Sequence, residues 1–332
     1  MPNSDLIGHW IKRFLMEYLV KERNLSRNTQ TSYRDALKQL LLFIAEMESL
    51  EVDRLLISHF NADKVRLFLT DVETQRRCSI STRNQRLAAV HALARFIGRH
   101  SPEHLSWCTE VCGISFKKAP KPSMFYLEKF EMDALLDMPD QETDQGRRDY
   151  AILLFLYNSG ARADEVAQAK ISNLQLGRSP MVRIAGKGNK MRICPLWSLT
   201  NDVLERLIQG RSADDRIFLN RRKQPMTRFG IHDVVRRYVA KTASRIPSMA
   251  SKRISVHSIR HTTAVHLLRA GVDINTIRAW LGHVSLDTTN IYAEVDLEMK
   301  ARALSHCEIL SEVKDTRSWN KDPDLLAFLR AL

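Results

Sequence analysis

The sequence predicts a mainly α-helical protein of two domains, the second carrying a small β-sheet or hairpin. Three observations lead there. Apolar residues recur at three- and four-residue steps through the first hundred positions, a basic stretch broken by Pro120 and Pro122 follows, and two alternating segments beyond it flank a glycine-rich turn. The first period is that of a helix with one face on a core, and the second is that of a half-buried strand. With 332 residues and 44% hydrophobic content, the chain is long enough to build two separate cores.

In residues 26–46, Tyr33, Leu37, Leu40, Leu41 and Ile44 line one helical face, with Ser26 or Asn28 placed to cap the start. Residues 60–70, with Val65, Leu67, Phe68 and Leu69, form another expected helix. A third spans about 82–99, with Leu87, Val90, Ala94 and Ile97 on one side and Asn84, His91, Arg95 and Arg99 on the other. The polar side could grip phosphates, although most charged helix faces are simply solvated.

The run Phe116-Lys117-Lys118-Ala119-Pro120-Lys121-Pro122 cannot continue a helix, because proline lacks the backbone donor and fixes φ. It places the domain boundary, with domain one at 1–115, a linker at 116–124 and domain two at 125–332. Its cations could follow a phosphate backbone. In domain two, residues 148–158 make an apolar helix that Gly160 breaks, and helical composition resumes over 164–169. Residues 181–193 alternate around Gly186-Lys187-Gly188-Asn189, the pattern of a hairpin with Lys187 near its tip. Residues 256–270 form a helix ended by Gly271, Asp273 can cap the next, and Ser285 or Asp287 can cap a third that carries Tyr292.

Lys and Arg number 51 against 38 Asp and Glu, a formal net charge of +13. An acidic partner is expected, and nucleic acid leads, because clustered cations displace counterions condensed on phosphates. No amphipathic anchor for a membrane surface is evident. The first ten residues include Asp5 and lack an apolar signal core, and no stretch nears the roughly 20 apolar residues of a membrane span. A cytoplasmic protein without a membrane partner is the expectation. Five scattered cysteines read as reduced thiols. Cys108 and Cys112 share a helical face, but no second Cys or His pair at zinc spacing follows, so no metal is expected.

The polar groups of the second half gain force from their order: Gly160-Ala161-Arg162-Ala163-Asp164-Glu165, then Gly186-Lys187-Gly188, then His257-Ser258-Ile259-Arg260-His261, then Leu281-Gly282-His283, then Tyr292. This resembles the tyrosine recombinase family, also called phage-type integrases. The resemblance covers residues 125–292 strongly and the N-terminal half more loosely. It implies a two-domain clamp on DNA, a helical core-binding domain joined to a mixed α/β catalytic domain.

The resemblance implies a transesterification in which the oxygen of Tyr292 attacks a DNA phosphate, giving a 3′-phosphotyrosyl bond and a free 5′-hydroxyl. Covalent storage of the bond energy removes the need for a nucleotide, and no P-loop is present. Arg162 and Arg260 match the arginines that stabilise the phosphoryl charge, their planar forks suited to two oxygens at once. Lys187 matches the general acid, with Lys190 as substitute. His257 and His283 match the histidines that bind the phosphate or help deprotonate tyrosine, and Glu165 matches an acidic position that orients the basic residues. No cofactor is implied.

Two rivals stand beside this reading. Residues 273–281 and 285–295 could form a helix-turn-helix of a non-catalytic regulator, which would leave Lys187 and the Arg162 segment unused. A DNA-relaxing topoisomerase would share the nucleophile, and the N-terminal helices favour recombination over it. About forty residues follow Tyr292 and end in an apolar run over 325–332, too greasy for a free tail. The resemblance implies that such a tail packs on a neighbouring protomer in a homotetramer on two specific DNA sites, with a related recombinase or accessory protein as a further partner. Docking on its own domain is the simpler alternative. The expected setting is a mobile element or chromosome or plasmid maintenance.

Overall fold

The computed structural model describes residues 5–119, 124–186 and 190–282. Two compact units divide the chain between Pro122 and Ser123. The expected caps at Ser285 and Asp287, the helix bearing Tyr292, the tail, and residues Lys187 and His283 lie outside the described residues.

The first unit is built of helices joined by short loops over its described residues. Helix α1 (Ile7–Arg13) runs into π-type turns over Phe14–Glu22 and is followed by α2 (Arg27–Glu48), α3 (Ala62–Thr74), α4 (Ile80–His100) and α5 (Leu105–Cys112). Each of α2, α3 and α4 starts where a side-chain oxygen takes an orphan backbone N–H: Ser26 from Thr29, Asn61 from Lys64 and Ser79 from Thr82. Leu37, Leu40, Ile44, Val65, Phe68, Leu69, Leu87 and Ile97 close over a core shared with Trp10 and Phe14. Each such side chain contributes about 1.5–3 kcal/mol of burial.

One expectation for α4 fails. His91 is 3% exposed, not aligned with Arg95 and Arg99 on an outward face. Helix α5 packs along α4, and Phe116 meets the His91 ring edge-to-face at 5.2 Å. Burial, then the Arg95 charge, lowers the His91 pKa, so this imidazole is neutral and structural. Arg95 and Arg99 are exposed.

The second unit forms around α7 (Asp144–Ser159), which is buried along most of its length. Helices α6 (Lys129–Leu136), α8 (Ala163–Gln168), α9 (Ser198–Ile208), α10 (Arg228–Ala243), α11 (Pro247–Ala250), α12 (Val256–Arg269) and α13 (Ile274–Leu281) accompany it. Strands β1 (Leu174–Gln175), β2 (Met181–Ala185) and β3 (Met191–Pro195) make an antiparallel sheet in that order. The β2–β3 hairpin sits where the alternation predicts it, while β1 has no periodic signal because it is two residues long. Val182 and Ile184 pair with Cys194 and Arg192 and point inward, whereas Met191 and Ile193 face solvent.

Gly160 ends α7 in the left-handed region at φ +58°, and a Cβ there would lie 2.4 Å from the Leu281 side chain. Glycine alone allows both the turn and the close approach of α13. Asp273 caps α13 through the N–H groups of Asn275 and Thr276. No helix among the described residues is long and apolar enough to cross a membrane.

Candidate active site

Arg162 occupies the N-cap of α8, directly after the Gly160-Ala161 turn. Its own N–H donates to Glu165 Oε2 at 2.8 Å and its Nη1 donates to Oε1 at 2.7 Å, so the carboxylate takes the orphan N–H at the helix start and holds the guanidinium. The Arg162 side chain keeps 41% exposure. Glu165 is nearly buried, which alone would raise its pKa. Hydrogen bonds and charge from Arg192, then from Arg162, reverse that and hold it below the usual carboxylate range.

Arg260, on α12, is 1% exposed. Nη1 donates to the Gly160 carbonyl at 2.6 Å and Nη2 to the Leu281 carbonyl at 2.5 Å. These bonds join the turn before Arg162 to the end of α13. The expected two-oxygen grip therefore has part of its fork committed to the main chain. Thr263 on the same helix donates to the Tyr157 carbonyl at 2.7 Å and fixes α12 on α7.

His257 precedes Arg260 by one turn and lies at the surface in the first turn of α12. Desolvation of the packed part of its ring, then the charges of Arg260 and Arg162, lowers its pKa. His261, one turn on, meets the His257 ring edge-to-face at 4.4 Å. Burial, followed by His257 and Arg260, pushes its pKa down to about 4. Both rings are neutral at physiological pH, and a neutral imidazole can accept a proton or a hydrogen bond.

Arg192 is a residue that motif reading missed. It is 9% exposed, and its Nη2 donates to Glu165 Oε2 at 2.7 Å. Its signal in the sequence was its register, since the alternation puts it on the same inward face as Cys194. Lys190 is exposed beside the hairpin tip. Arg95, Arg99, Lys117 and Lys118 belong to the first unit. Lys117 is tied down there: its Nζ lies 2.7 Å from Glu73, and its main chain pairs with the Asn84 amide on α4. Among the described residues no group of three or more His, Cys, Asp or Glu is arranged to hold a metal ion.

A helical unit followed by a mainly helical unit with an antiparallel hairpin is a fold shared with solved DNA recombinases. The Tn1549 transposon integrase in complex with transposon right end DNA superposes with a TM-score of 0.68 at 15% identity, over 89% of this chain and 98% of that one. The XerH site-specific recombinase bound to its difH substrate gives 0.64 at 20% identity, over 89% and 84%. These are likenesses of fold. In sequence, the phage integrase family model matches residues 126–299, and the phage integrase N-terminal SAM-like domain matches residues 11–100. A protein named as integrase/recombinase y4rC of Sinorhizobium fredii is 35% identical over 334 residues, covering 100% of both chains. Tyrosine recombinase XerC of Pelobacter propionicus is 33% identical over 294 residues, 85% of this chain and 89% of the relative. The chain belongs to the phage integrase family and is a tyrosine recombinase, an enzyme of site-specific DNA recombination.

Proposed function

We propose that this recombinase cuts and rejoins double-stranded DNA through a 3′-phosphotyrosyl intermediate, with Tyr292 as nucleophile. The Tyr292 oxygen bonds to phosphorus as the bond from phosphorus to the 5′-oxygen breaks. The phenolic proton leaves to a histidine, and Lys187 protonates the departing 5′-oxygen. Arg162 and Arg260 oppose the charge on the non-bridging oxygens, and His257 and His283 hydrogen-bond the phosphate or take the tyrosine proton. Glu165 orients Arg162. Rejoining runs the same steps in reverse with a new 5′-hydroxyl, so no metal or nucleotide enters the scheme.

The observation that carries the reading is the bond from Arg260 to the Gly160 carbonyl, two residues before Arg162. It ties the two arginine segments together although they are a hundred residues apart in the chain. The neutral state favoured at His257 supports its use as an acceptor. Residues 125–332 are then the catalytic domain and 1–115 the core-binding domain, joined by a linker over 116–124. Arg95, Arg99, Lys117 and Lys118 contact DNA phosphates in this scheme, with Lys117 first releasing Glu73. Assembly as a homotetramer on two sites through exchange of the C-terminal tail, with a related recombinase or accessory protein, completes the proposal. The setting is a mobile element or chromosome or plasmid maintenance, in the cytoplasm.

The test uses DNA containing a binding site selected from a random library and nicked so that cleavage traps the enzyme. Without Mg²⁺ or ATP, a covalent adduct on a denaturing gel that vanishes in Tyr292→Phe is expected. Specific binding without any adduct would instead favour the regulator. Light scattering of the DNA complex, with and without residues 325–332, reads the assembly.

A further inference from the structure

Arg192 lies outside the proposed catalytic set, yet three parts of the site meet on it. Its Nη2 shares Glu165 Oε2 with the N–H of Arg162, while Oε1 takes Arg162 Nη1. A Cβ on Gly186 would stand 3.5 Å from Glu165 Oε1 and 3.6 Å from Arg192 Nη1, so the last described residue before Lys187 packs on this ion pair. Gly282, left-handed at φ +67° and adjacent to His283, lies on the Arg192 stem, where a Cβ would come 3.1 Å from Cδ.

A buried arginine is costly unless its partner needs it. Glu165 does. With Arg192 present, Arg162, Glu165 and Arg192 sum to one positive charge. Without it the sum is zero, and Glu165, left with Arg162 alone, holds that guanidinium more tightly and repels an incoming phosphate. Lysine would keep the charge but lose the fork that reaches the carboxylate beneath Gly282.

We infer that Arg192 is a positioning residue for strand cleavage, which shares the Glu165 carboxylate with Arg162, offsets its charge and leaves Arg162 a net charge for the scissile phosphate. The inference rests on the phosphate-binding role proposed for Arg162. It concerns a residue that touches neither DNA nor Tyr292 in that scheme, and it acts through Glu165.

The experiment measures single-turnover adduct formation on the nicked DNA at saturating concentration, alongside equilibrium DNA affinity, for the full chain. The variants are Arg192→Gln, Arg192→Lys, Glu165→Gln and the double Arg192→Gln/Glu165→Gln. Glutamine keeps the stem out to Cδ, the atom under Gly282, and removes only charge and fork. Arg192→Gln should slow adduct formation roughly 10- to 100-fold, the scale of a strong pairwise coupling, with DNA affinity changed less than about threefold. Neutralising Glu165 in that background should recover about tenfold of the rate, which a merely structural role would not do. Arg192→Lys should fall between wild type and glutamine.

Arg192→Gln at the wild-type rate, or a double variant no faster than Arg192→Gln, would overturn the inference while leaving the tyrosine chemistry intact. Absence of any adduct from the unmodified chain would remove the parent reading and this one together. Should Arg192→Gln not fold, the doubly neutral variant buries no unpaired carboxylate and carries the test. Its rate stays within about tenfold of Glu165→Gln if Arg192 acts through Glu165, and a larger fall would overturn the inference.

Discussion

Arg260 on α12 donates to the Leu281 carbonyl at the end of α13 with an Nη2 to oxygen distance of 2.5 Å. The same guanidinium reaches Gly160 through Nη1, so one buried cation serves carbonyls at two helix ends. Its structural duty and the chemical role proposed for it therefore rest on one group.

Arg260→Lys should be both inactive and less stable. One amino group cannot span both carbonyls, and a buried carbonyl left without a donor costs about 1–3 kcal/mol. Urea denaturation followed by circular dichroism reads the stability, and the adduct assay reads the chemistry. A lysine variant of unchanged stability would mean that these two bonds contribute nothing to the fold.

Gly160→Ala should destabilise the second unit without touching any charged group. A left-handed conformation costs an L-residue about 1–2 kcal/mol, and the new Cβ must also displace Leu281, which would otherwise lie 2.4 Å away. The same denaturation experiment measures it, and partial relief in Gly160→Ala/Leu281→Ala would locate the clash.

Acidification should weaken the fold through His261. Burial, with His257 and Arg260 beside it, takes its pKa from 6.5 down to about 4. Between those values the unfolded chain binds a proton that the native chain refuses, so stability falls as pH drops from about 6.5 to about 4. Above 6.5 the contribution is complete. The wild-type protein should lose more stability over that range than His261→Gln does, and parallel pH profiles would show that His261 is not the group responsible.

Cys194 should resist alkylation in the native protein. It is 0% exposed, and burial pushes its thiol up to about 12, so neither access nor thiolate is available. Iodoacetamide labelling with peptide mass spectrometry should modify Cys194 only after denaturation. Labelling at native pH on the timescale of an exposed thiol would contradict the packing of β3.

Exchanging Arg95 and Arg99 for glutamine should weaken DNA binding at all sequences alike. If each contacts a phosphate, the slope of log affinity against log salt should fall by about 1.8 in the double variant, since each phosphate contact contributes about 0.9. An unchanged slope would return both residues to the status of a solvated helix face.

Local signals were the part of this molecule that sequence reading captured well. The cap at Ser26 and that at Asp273 are hydrogen bonds within one helical turn, so three or four residues suffice to predict them. The β2–β3 hairpin is a period-two pattern around glycines, equally local. The α4 pattern alone leaves the side of His91 open because what covers it comes later in the chain, Cys112 at the end of α5 and Phe116 beyond it. Strand β1 escaped because two residues carry no period, and only pairing with β2 makes them a strand.

The sequence by itself determined the helical character, the hairpin, the basic balance and the ordered set of motifs that marks a tyrosine recombinase, because each is written in composition or in spacing along the chain. Only the tertiary structure decided that Arg260 is a buried strut between Gly160 and Leu281, and that Glu165 is divided between Arg162 and Arg192. Those pairings depend on which side chains lose water together. Strand alternation can mark a residue such as Arg192 as inward, but which groups are desolvated against one another is a property of the packed arrangement.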